Sequence, residues 1–436
     1  MKFIAQYIIV FIACIHAAVA QETVYPAAPQ QLPIVISNAT IHVGNGQVIE
    51  NGSIVIVDGK IQQVGTSVNA PAGAKAIDAS KKHVYPGLIL SISDLGLKEV
   101  GAGTRATNDV VELGDINPNV MSIVAYNADS KIINTLRSNG ILLAASVPQG
   151  GLIRGSSSVV QLDAWNYEDA AYAKNHGIHM NLPSLLNRPR QRATAANATD
   201  PLKYAFEQIQ TAKDFFRQAR AYHKETNRST INAKYEAVKG LFDGSQKLFI
   251  HCNLVKEMLV AVDFRKEFGF DVVIAGGSES FQIPEFLKQH NIAVILNQMH
   301  SLPTSPDDDV DQPYKTPAML QQAGVLFAIN DEDGQTRGRN LMFNAGTAAT
   351  YGLSKEQALQ AITLNAAKIM GIEKKTGSIE QGKDANIIIS TGDILDMQTS
   401  NVVEAFIQGR HIDLTDKHKQ LYERYRRKYD LQPVKN

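Results

Sequence analysis

The chain has 436 residues, of which 44% are apolar and 20% are charged. This composition provides enough apolar surface for a sizeable core, and it excludes a disordered chain, a collagen and a coiled coil. The 43 basic residues balance the 43 acidic residues, so no overall field attracts nucleic acid or an acidic membrane. The length suits two or three domains, or one large α/β barrel with additions. The two cysteines, Cys14 and Cys252, exclude a disulfide framework and a four-cysteine zinc site.

The N-terminus has the pattern of a secretory signal peptide. Lys2 precedes an apolar stretch over residues 3–20 that ends in Ala-Val-Ala. A basic start, an apolar run and a small-x-small ending are typical of a cleaved signal. Residues 1–20 are therefore predicted to be removed, and the protein to be exported to the periplasm or the medium. A membrane anchor and a lipoprotein attached through Cys14 are the alternatives. No later stretch has the length of a membrane span, so no span is expected after cleavage.

The region after the signal is predicted to be a linker followed by β-structure. Residues 21–32 are rich in proline, alanine and glutamine, as linkers often are. Short alternating apolar segments then follow over residues 33–85. Asn51-Gly52 and Asp58-Gly59 separate these segments, and such dipeptides between apolar alternations predict hairpin turns. The pattern therefore predicts antiparallel β-structure over residues 33–85.

The pattern of apolar and polar residues changes at Pro86. Short, continuously apolar runs alternate with amphipathic stretches over residues 86–375, and the helical pattern is clearest at 202–225 and 354–371. Buried strands that alternate with helices predict βα units around a parallel sheet, and this number of strands favours a (β/α)8 barrel. The β pattern returns over residues 376–412, and residues 413–436 are predicted to be a helical tail of mixed charge.

Several strings resemble those of the amidohydrolase superfamily, in its imidazolonepropionase-like branch. They are Asn38-Ala39-Thr40-Ile41, Asp58-Gly59-Lys60-Ile61, Tyr85-Pro86-Gly87-Leu88-Ile89, Gly151-Leu152-Ile153-Arg154-Gly155, Ile250-His251-Cys252 and Gly377-Ser378-Ile379-Glu380-Gln381-Gly382-Lys383-Asp384-Ala385. Their order along the chain matches that of the family. The resemblance implies a TIM-type (β/α)8 barrel at 86–375, with a small composite β-sandwich formed by residues 33–85 together with 376–412.

The resemblance also implies a divalent metal centre that this chain lacks in part. The family has two histidines after the first barrel strand, a lysine or glutamate after the fourth, single histidines after the fifth and sixth, and an aspartate after the eighth. The two positions after the first strand hold Ile92 and Asp94, and the position after the sixth holds Gly276. Isoleucine and glycine side chains offer no ligand atom, so the metal site is expected to be degenerate.

Two positions of the family's site survive. His251 and Asp331 stand where the fifth and eighth strands end, at the barrel face that carries chemistry, and they are the predicted catalytic residues. A structural histidine and a helix N-cap are the alternative interpretations. With Asp94 and His179 they form the candidate metal set of His251, Asp331, Asp94 and His179. Tight binding of a cofactor is not expected, although a zinc-like divalent ion remains an open possibility.

The resemblance implies an exported hydrolase that cleaves a carbon–nitrogen bond, other than an ordinary peptide bond, in a small cyclic or peptide-like molecule. The competing hypothesis is a catalytically degenerate pseudoenzyme that acts as a binding protein or as the non-catalytic subunit of a complex with an intact amidohydrolase. The balanced charge excludes nucleic acid as a partner. The oligomeric state is left open. Five arginines are predicted to rim the barrel mouth, namely Arg188, Arg190, Arg192, Arg337 and Arg339.

Overall fold

The computed structural model of the protein describes residues 24–99, 109–186, 200–227, 230–297, 299–333 and 336–432. The predicted signal peptide lies outside these residues. Within the described part of the chain, no helix is long and apolar enough to cross a membrane. Residues 24–33, which make up most of the predicted linker, form neither helix nor strand.

The described chain begins with five strands of a first sheet. They are β1 (Ile34–His42), β2 (Val48–Val57), β3 (Lys60–Gly65), β4 (Lys75–Asp78) and β5 (His83–Pro86). Strands β1, β2 and β3 are antiparallel to one another, as the sequence predicts. Strands β4 and β5 both pair with β1 in parallel, so the prediction of purely antiparallel structure over residues 33–85 is wrong. β1 pairs with both on one edge, because β4 pairs with residues 34–37 and β5 with Thr40 and Ile41.

One of the two predicted hairpin turns is present. Asp58 and Gly59 both have positive φ angles, 50° and 78°, and they join β2 to β3 as an Asp-Gly turn should. Asn51, by contrast, lies inside β2 with a φ of 49°, and the connection between β1 and β2 spans residues 43–47. Asn51-Gly52 therefore marks an irregularity within a strand, which is another structure that a left-handed residue produces.

Eight further strands form the second sheet. They are β6 (Leu88–Ser93), β7 (Ile141–Ser146), β8 (Ile153–Gln161), β9 (Ala171–Asn181), β10 (Lys247–Cys252), β11 (Val272–Gly276), β12 (Ala293–Asn297) and β13 (Phe327–Asn330). The strands follow one another in chain order across the sheet, and most are buried on both faces, which explains their continuously apolar sequences.

The side chain of Asn330 bridges the seam between the first and last strands of this sheet. The side-chain amide of Asn330, at the end of β13, accepts a hydrogen bond from the backbone N–H of Ile92 over 3.1 Å and donates to the carbonyl of Ile92 over 3.0 Å. The amide of Asn330 thus makes the two hydrogen bonds to β6 that the backbone of a neighbouring strand would make. The sheet is a nearly closed barrel of eight strands, which confirms the expected fold class.

The barrel departs from the expected parallel order at β8. This strand is antiparallel to both β7 and β9. The loop between β8 and β9 contains only a four-residue helix, whereas a parallel crossover needs a dozen residues or more. The prediction of an unbroken series of βα units is therefore wrong between β7 and β9.

The two ends of the chain share one sheet. Strands β14 (Ile387–Ser390), β15 (Val402–Ile407) and β16 (Arg410–His411) follow the barrel, and β14 pairs with β5. Side chains of β1, β2 and β14 pack in one buried cluster, so the N-terminal and C-terminal segments complete the same core. The Asp384 carboxylate also ties this sheet to the barrel, because it accepts a hydrogen bond of 2.6 Å from the Tyr172 hydroxyl in β9.

Thirteen α-helices lie in the described residues. They are α1 (Ser122–Ala125), α2 (Lys131–Ser138), α3 (Tyr167–Ala170), α4 (Pro201–Lys224), α5 (Ala233–Ala237), α6 (Lys239–Asp243), α7 (Val255–Phe268), α8 (Pro284–Gln289), α9 (Gln312–Gln322), α10 (Leu341–Thr350), α11 (Lys355–Ala361), α12 (Leu364–Met370) and α13 (Lys417–Lys428). α4 matches the predicted helix at 202–225, and Asp200 caps it with Pro201 in the first turn. The predicted helix at 354–371 is divided at Thr363, whose φ and ψ of −134° and −93° are not helical. α13 matches the predicted helical tail.

Candidate functional site

The residues that the sequence singled out lie where the barrel strands end. Ile92 lies in β6, and Asp94 is the first residue after that strand. His251 lies in β10, Gly276 ends β11, and Asp331 follows β13. Because the carboxyl ends of these parallel strands meet at one face of the barrel, this set lies around the barrel mouth.

His179 and His251 are in direct contact. His179 lies in β9 beside β10, and its Nδ1 is 2.9 Å from Nε2 of His251. The ring of His179 stacks on Phe249, with ring centroids 4.7 Å apart and planes inclined by 7°. The structure therefore joins two members of the predicted metal set through a hydrogen bond between their rings.

Two further polar side chains continue this contact into the barrel interior. Nε2 of His179 is 2.8 Å from the Ser157 hydroxyl, which is 3.4 Å from Nε2 of His176. Burial lowers the pKa of His176 to about 4. Burial, and then the charges of neighbouring groups including Arg154, also hold the pKa values of His179 and His251 well below the ordinary histidine value. All three rings are therefore neutral at pH 7.

A polar cleft of about 490 Å³ opens at the ends of β10, β11 and β12. Its lining includes His251, Asn253, Ser278, Thr304 and Asn297. Two charged side chains also line it, Arg154 from β8 and Glu332 from the loop after β13. A concave site with a few convergent polar groups is the usual form of a small-molecule site.

No carboxylate among the described residues forms a close ion pair with Arg154, although Glu332, which lines the same cleft, attracts its charge. Its side chain donates to Oδ1 of Asn181, and its Nε is buried without a hydrogen-bond partner. Asn181 is itself oriented by a hydrogen bond of 2.8 Å from its Nδ2 to the carbonyl of Gly151. Burial lowers the pKa of Arg154 to about 10, and the negative charge of Glu332 opposes this shift only in part.

Two asparagine side chains connect Glu332 to the barrel seam. Its Oε2 accepts a hydrogen bond of 3.1 Å from Nδ2 of Asn297, and Oδ1 of Asn297 accepts one of 2.8 Å from Nδ2 of Asn330. Burial raises the pKa of Glu332; the charge of Arg154 opposes this shift, and the nearby carboxylates of Asp331 and Asp94 add to it. The same side chain that closes the barrel thus supports a carboxylate in the cleft.

Asp331 and Asp94 have different surroundings from Glu332. Oδ1 of Asp331 is 3.4 Å from Arg337 and accepts the backbone N–H of Asp333 over 3.2 Å. The Asp94 carboxylate is 4.0 Å from Lys98. Burial raises the pKa of both carboxyl groups. Glu332, rather than Asp331, lines the cleft with His251.

The donor set does not fit the metal centre that the resemblance implies. Ile92 is only 4% exposed and its backbone is bonded to Asn330. Gly276 has a φ of +108°, and a Cβ there would lie 2.6 Å from Asn253 Oδ1. Nε2 of His251 is already engaged by His179. Within the described ranges, no three His, Cys, Asp or Glu side chains form a group that could hold a metal ion.

Several residues that build the site could not be predicted from the sequence. Ser157 and Asn330 carry no motif, and their roles depend on contacts with strands far away in the chain. Arg154 lies inside the string used for the resemblance, and a charged side chain directly after Leu152 and Ile153 is the signal that could have revealed it. Glu332 is adjacent to the predicted Asp331. Three of the predicted rim arginines, Arg188, Arg190 and Arg192, lie outside the described residues.

Comparisons with known proteins agree with the sequence resemblance. A model of the amidohydrolase family matches residues 299–412. An imidazolonepropionase of Picrophilus torridus is 24% identical over 367 residues, which cover 79% of this chain and 87% of that protein. A dihydroorotase of Pelotomaculum thermopropionicum is 24% identical over 393 residues, which cover 79% of this chain and 86% of that protein.

Solved structures show the same fold. The crystal structure of an amidohydrolase from Thermotoga maritima superposes with a TM-score of 0.76 and 24% sequence identity, over 87% of this chain and 99% of that chain. At this identity the similarity shows the fold alone, whereas the family model and the sequence relatives support a hydrolase of the amidohydrolase type that acts on carbon–nitrogen bonds.

Proposed function

Because the chain belongs to the amidohydrolase superfamily, in its imidazolonepropionase-like branch, we propose that it hydrolyses a carbon–nitrogen bond in a small cyclic or peptide-like molecule that carries a carboxylate. The observation that carries this proposal is the cleft in which His251, Glu332 and Arg154 meet. These side chains supply a neutral hydrogen-bonding group, a carboxylate and a cation at the face where barrel enzymes perform chemistry.

The cleft side chains can divide the reaction between them. Glu332 removes a proton from water while that water attacks the carbonyl carbon of the substrate. His251 donates a hydrogen bond to the oxygen that becomes negative, and the proton on Glu332 passes to the leaving nitrogen. The raised pKa of Glu332 suits this use, because a base is more effective when its pKa lies closer to the working pH. This assignment moves the base from the predicted Asp331 to its neighbour.

The arginine of the cleft favours an anionic substrate. A partly buried guanidinium is costly unless its charge and its N–H groups are compensated. Glu332 compensates the charge of Arg154 only in part, and Nε of Arg154 has no hydrogen-bond partner among the described residues. A substrate carboxylate can satisfy its remaining N–H groups in the bidentate geometry that arginine prefers. The relatives named imidazolonepropionase and dihydroorotase direct the first choice of test compounds toward imidazolone and dihydropyrimidine rings that carry carboxylates.

A substrate panel with paired variants tests the proposal. Hydrolysis of such ring compounds should be lowered by about 100-fold or more in Glu332→Gln, since a general base contributes roughly that factor or more. Asp331→Asn, which neutralises the adjacent carboxylate, should retain more activity. Arg154→Gln should raise KM for carboxylate substrates more than for their amides. Equal losses in Glu332→Gln and Asp331→Asn would return the role of base to the predicted Asp331.

The replaced metal positions favour a second candidate, a pseudoenzyme that binds the same anionic molecules without turnover, alone or as the non-catalytic subunit beside an intact amidohydrolase. Ile92 and Gly276 stand where ligands are expected. Calorimetry would show carboxylate binding that depends on Arg154, with no product after long incubation. Product formation that is lost in Glu332→Gln would exclude this candidate.

Export is a separate part of the proposal. The basic start and the apolar stretch over residues 3–20 support cleavage before Gln21 and delivery to the periplasm or the medium. N-terminal sequencing of exported protein should begin at Gln21. A chain that retains Lys2 would contradict cleavage, and a lipid-modified Cys14 at the N-terminus would show the lipoprotein alternative instead.

A further inference from the structure

A chain of hydrogen bonds lies behind His251 and takes no part in the proposed reaction. It runs from His176 Nε2 to the Ser157 hydroxyl over 3.4 Å, from Ser157 to His179 Nε2 over 2.8 Å, and from His179 Nδ1 to His251 Nε2 over 2.9 Å. Nδ1 of His251 makes no hydrogen bond within the described residues, and it remains accessible to solvent.

The hydrogens of this chain have two consistent arrangements. A neutral imidazole has one N–H and one lone pair, and a hydroxyl donates a single hydrogen. If Ser157 donates to His179, then His179 donates to His251, and the N–H of His251 is at Nδ1. If Ser157 accepts from His179, every direction reverses, and His251 then has its N–H at Nε2 and a lone pair at Nδ1.

The distances around Ser157 favour the first arrangement. In the reversed arrangement, the only acceptors among the described residues for the hydroxyl hydrogen of Ser157 are the carbonyl of Gly177 and Nε2 of His176, and both lie 3.4 Å away. In the first arrangement, the same hydrogen lies in the contact of 2.8 Å with His179. Hydroxyl hydrogen bonds are commonest near 2.8 Å and weaken with distance, so donation to His179 is the stronger choice.

We infer that Ser157 and His179 hold His251 in the Nδ1–H tautomer, so that His251 presents a hydrogen-bond donor to any molecule bound in the cleft. His179 and Ser157 are positioning residues in this arrangement. The lone pair of His251 at Nε2 is used by His179 and is not available to a base or a ligand role. A preoriented N–H suits an oxygen that gains negative charge, and this use of the donor rests on the proposed function.

Nitrogen NMR of the full mature chain, labelled with 15N-histidine, tests the inference without any substrate. Protonated and bare ring nitrogens have widely separated 15N shifts, and His251→Gln identifies the signals. At pH 7 the wild type should show both His251 and His179 protonated at Nδ1 and bare at Nε2. A His251 signal protonated at Nε2 or at both nitrogens would overturn the inference.

Two variants of nearly equal size sharpen the test. In His179→Asn the amide can still donate to His251 Nε2, so the Nδ1–H tautomer should persist. In His179→Asp the carboxylate only accepts, so His251 Nε2 should become protonated. The same His251 state in both variants would show that His179 does not set the tautomer. If either variant fails to fold, the wild-type spectrum decides alone. The expected tautomers without turnover of any substrate would leave this inference standing and count against the proposed function.

Discussion

Two pairs of strand ends at the barrel mouth use their residues differently. At the ends of β6 and β11, the positions where histidines are expected hold Ile92, which is packed and bonded to the seam, and Gly276, which has a backbone suited to glycine. At the end of β10 and in the loop after β13, His251 and Glu332 line the cleft. The first pair offers no side-chain atom that could bind a metal, whereas the second provides groups that can act on a ligand. A metal centre therefore cannot be restored by replacing one residue.

The largest effect is expected at Gly276. In Gly276→Ala the new Cβ would lie 2.6 Å from Asn253 Oδ1 and 2.8 Å from the Cys252 carbonyl oxygen, at a φ of +108°. The strained backbone and the overlap should together lower the unfolding free energy by about 4 kcal/mol. Gly371→Ala is the control, because Gly371 has a φ of +73° and no atoms within 4 Å of its Cβ position. It should cost about 1 kcal/mol. Equal costs by chemical denaturation would contradict this view of Gly276.

The second effect is the acid sensitivity of the buried histidines. Burial lowers the pKa of His176 to about 4 in the folded chain. In the unfolded chain the pKa of His176 stays near 6.5. Between these values only the unfolded chain binds the proton, so stability is present above pH 6.5 and is lost as the pH falls. The loss attributable to His176 should reach about 3 kcal/mol at pH 4.

Denaturation of His176→Gln across this pH range checks the prediction. The variant should lose less stability than the wild type between pH 6.5 and pH 4, while His418→Gln, which changes an exposed histidine, should follow the wild type. Parallel profiles for all three proteins would show that His176 does not contribute to the acid sensitivity.

A third effect should appear at the seam. Asn330→Ala removes both hydrogen bonds to the backbone of Ile92 and the bond to Asn297. It leaves buried polar groups without partners, so the unfolding free energy should fall by about 2 kcal/mol or more. It should also lower turnover, because Asn297 supports Glu332. The control Asn401→Ala removes one bond at the surface and should cost less than about 0.5 kcal/mol. If Asn330→Ala matches this control, the seam does not depend on Asn330.

The smallest effect on stability is expected at Asp331. Burial raises its pKa and opposes its ionisation in the folded chain, so its contribution to stability falls as the pH rises above the unfolded value of 3.8. Asp331→Asn should therefore leave the unfolding free energy at pH 7 unchanged, or raise it by less than about 1 kcal/mol. Asp78→Asn should act in the opposite direction, because hydrogen bonds from Ser80 and Asn38 lower the pKa of Asp78. A clear loss of stability in Asp331→Asn would indicate a structural ion pair with Arg337.

The sequence could predict most of the fold because its signals are local. The continuous apolar runs that became β6, β7 and β10 to β13 identify buried strands, and the strings at both ends of the chain identify their shared sheet. The antiparallel direction of β8 could not be predicted because the residues of a strand do not indicate its direction, and only the short connection to β9 reveals it. Asn51-Gly52 predicts a hairpin turn but lies inside β2, because the left-handed conformation occurs both in turns and at irregularities within strands.

The site could be predicted only in part. The ends of strands identified His251 and Asp331, and the missing ligands followed from reading Ile92 and Gly276 against the family pattern. The contact of His179 with His251 depends on the register of β9 against β10, which no local pattern reveals. The roles of Ser157 and Asn330 likewise depend on contacts between strands that are distant in the chain.

Elemental analysis of the mature protein, purified without added metal or chelator, tests whether the barrel mouth lacks the family's metal set and instead holds a cleft built on His251, Glu332 and Arg154. The protein should contain well under one equivalent of zinc, manganese or iron, because structural and catalytic zinc sites normally have three or four protein ligands. Stoichiometric metal that is lost in both His251→Ala and Asp94→Ala would contradict the absence of this metal set and establish a remodelled metal centre.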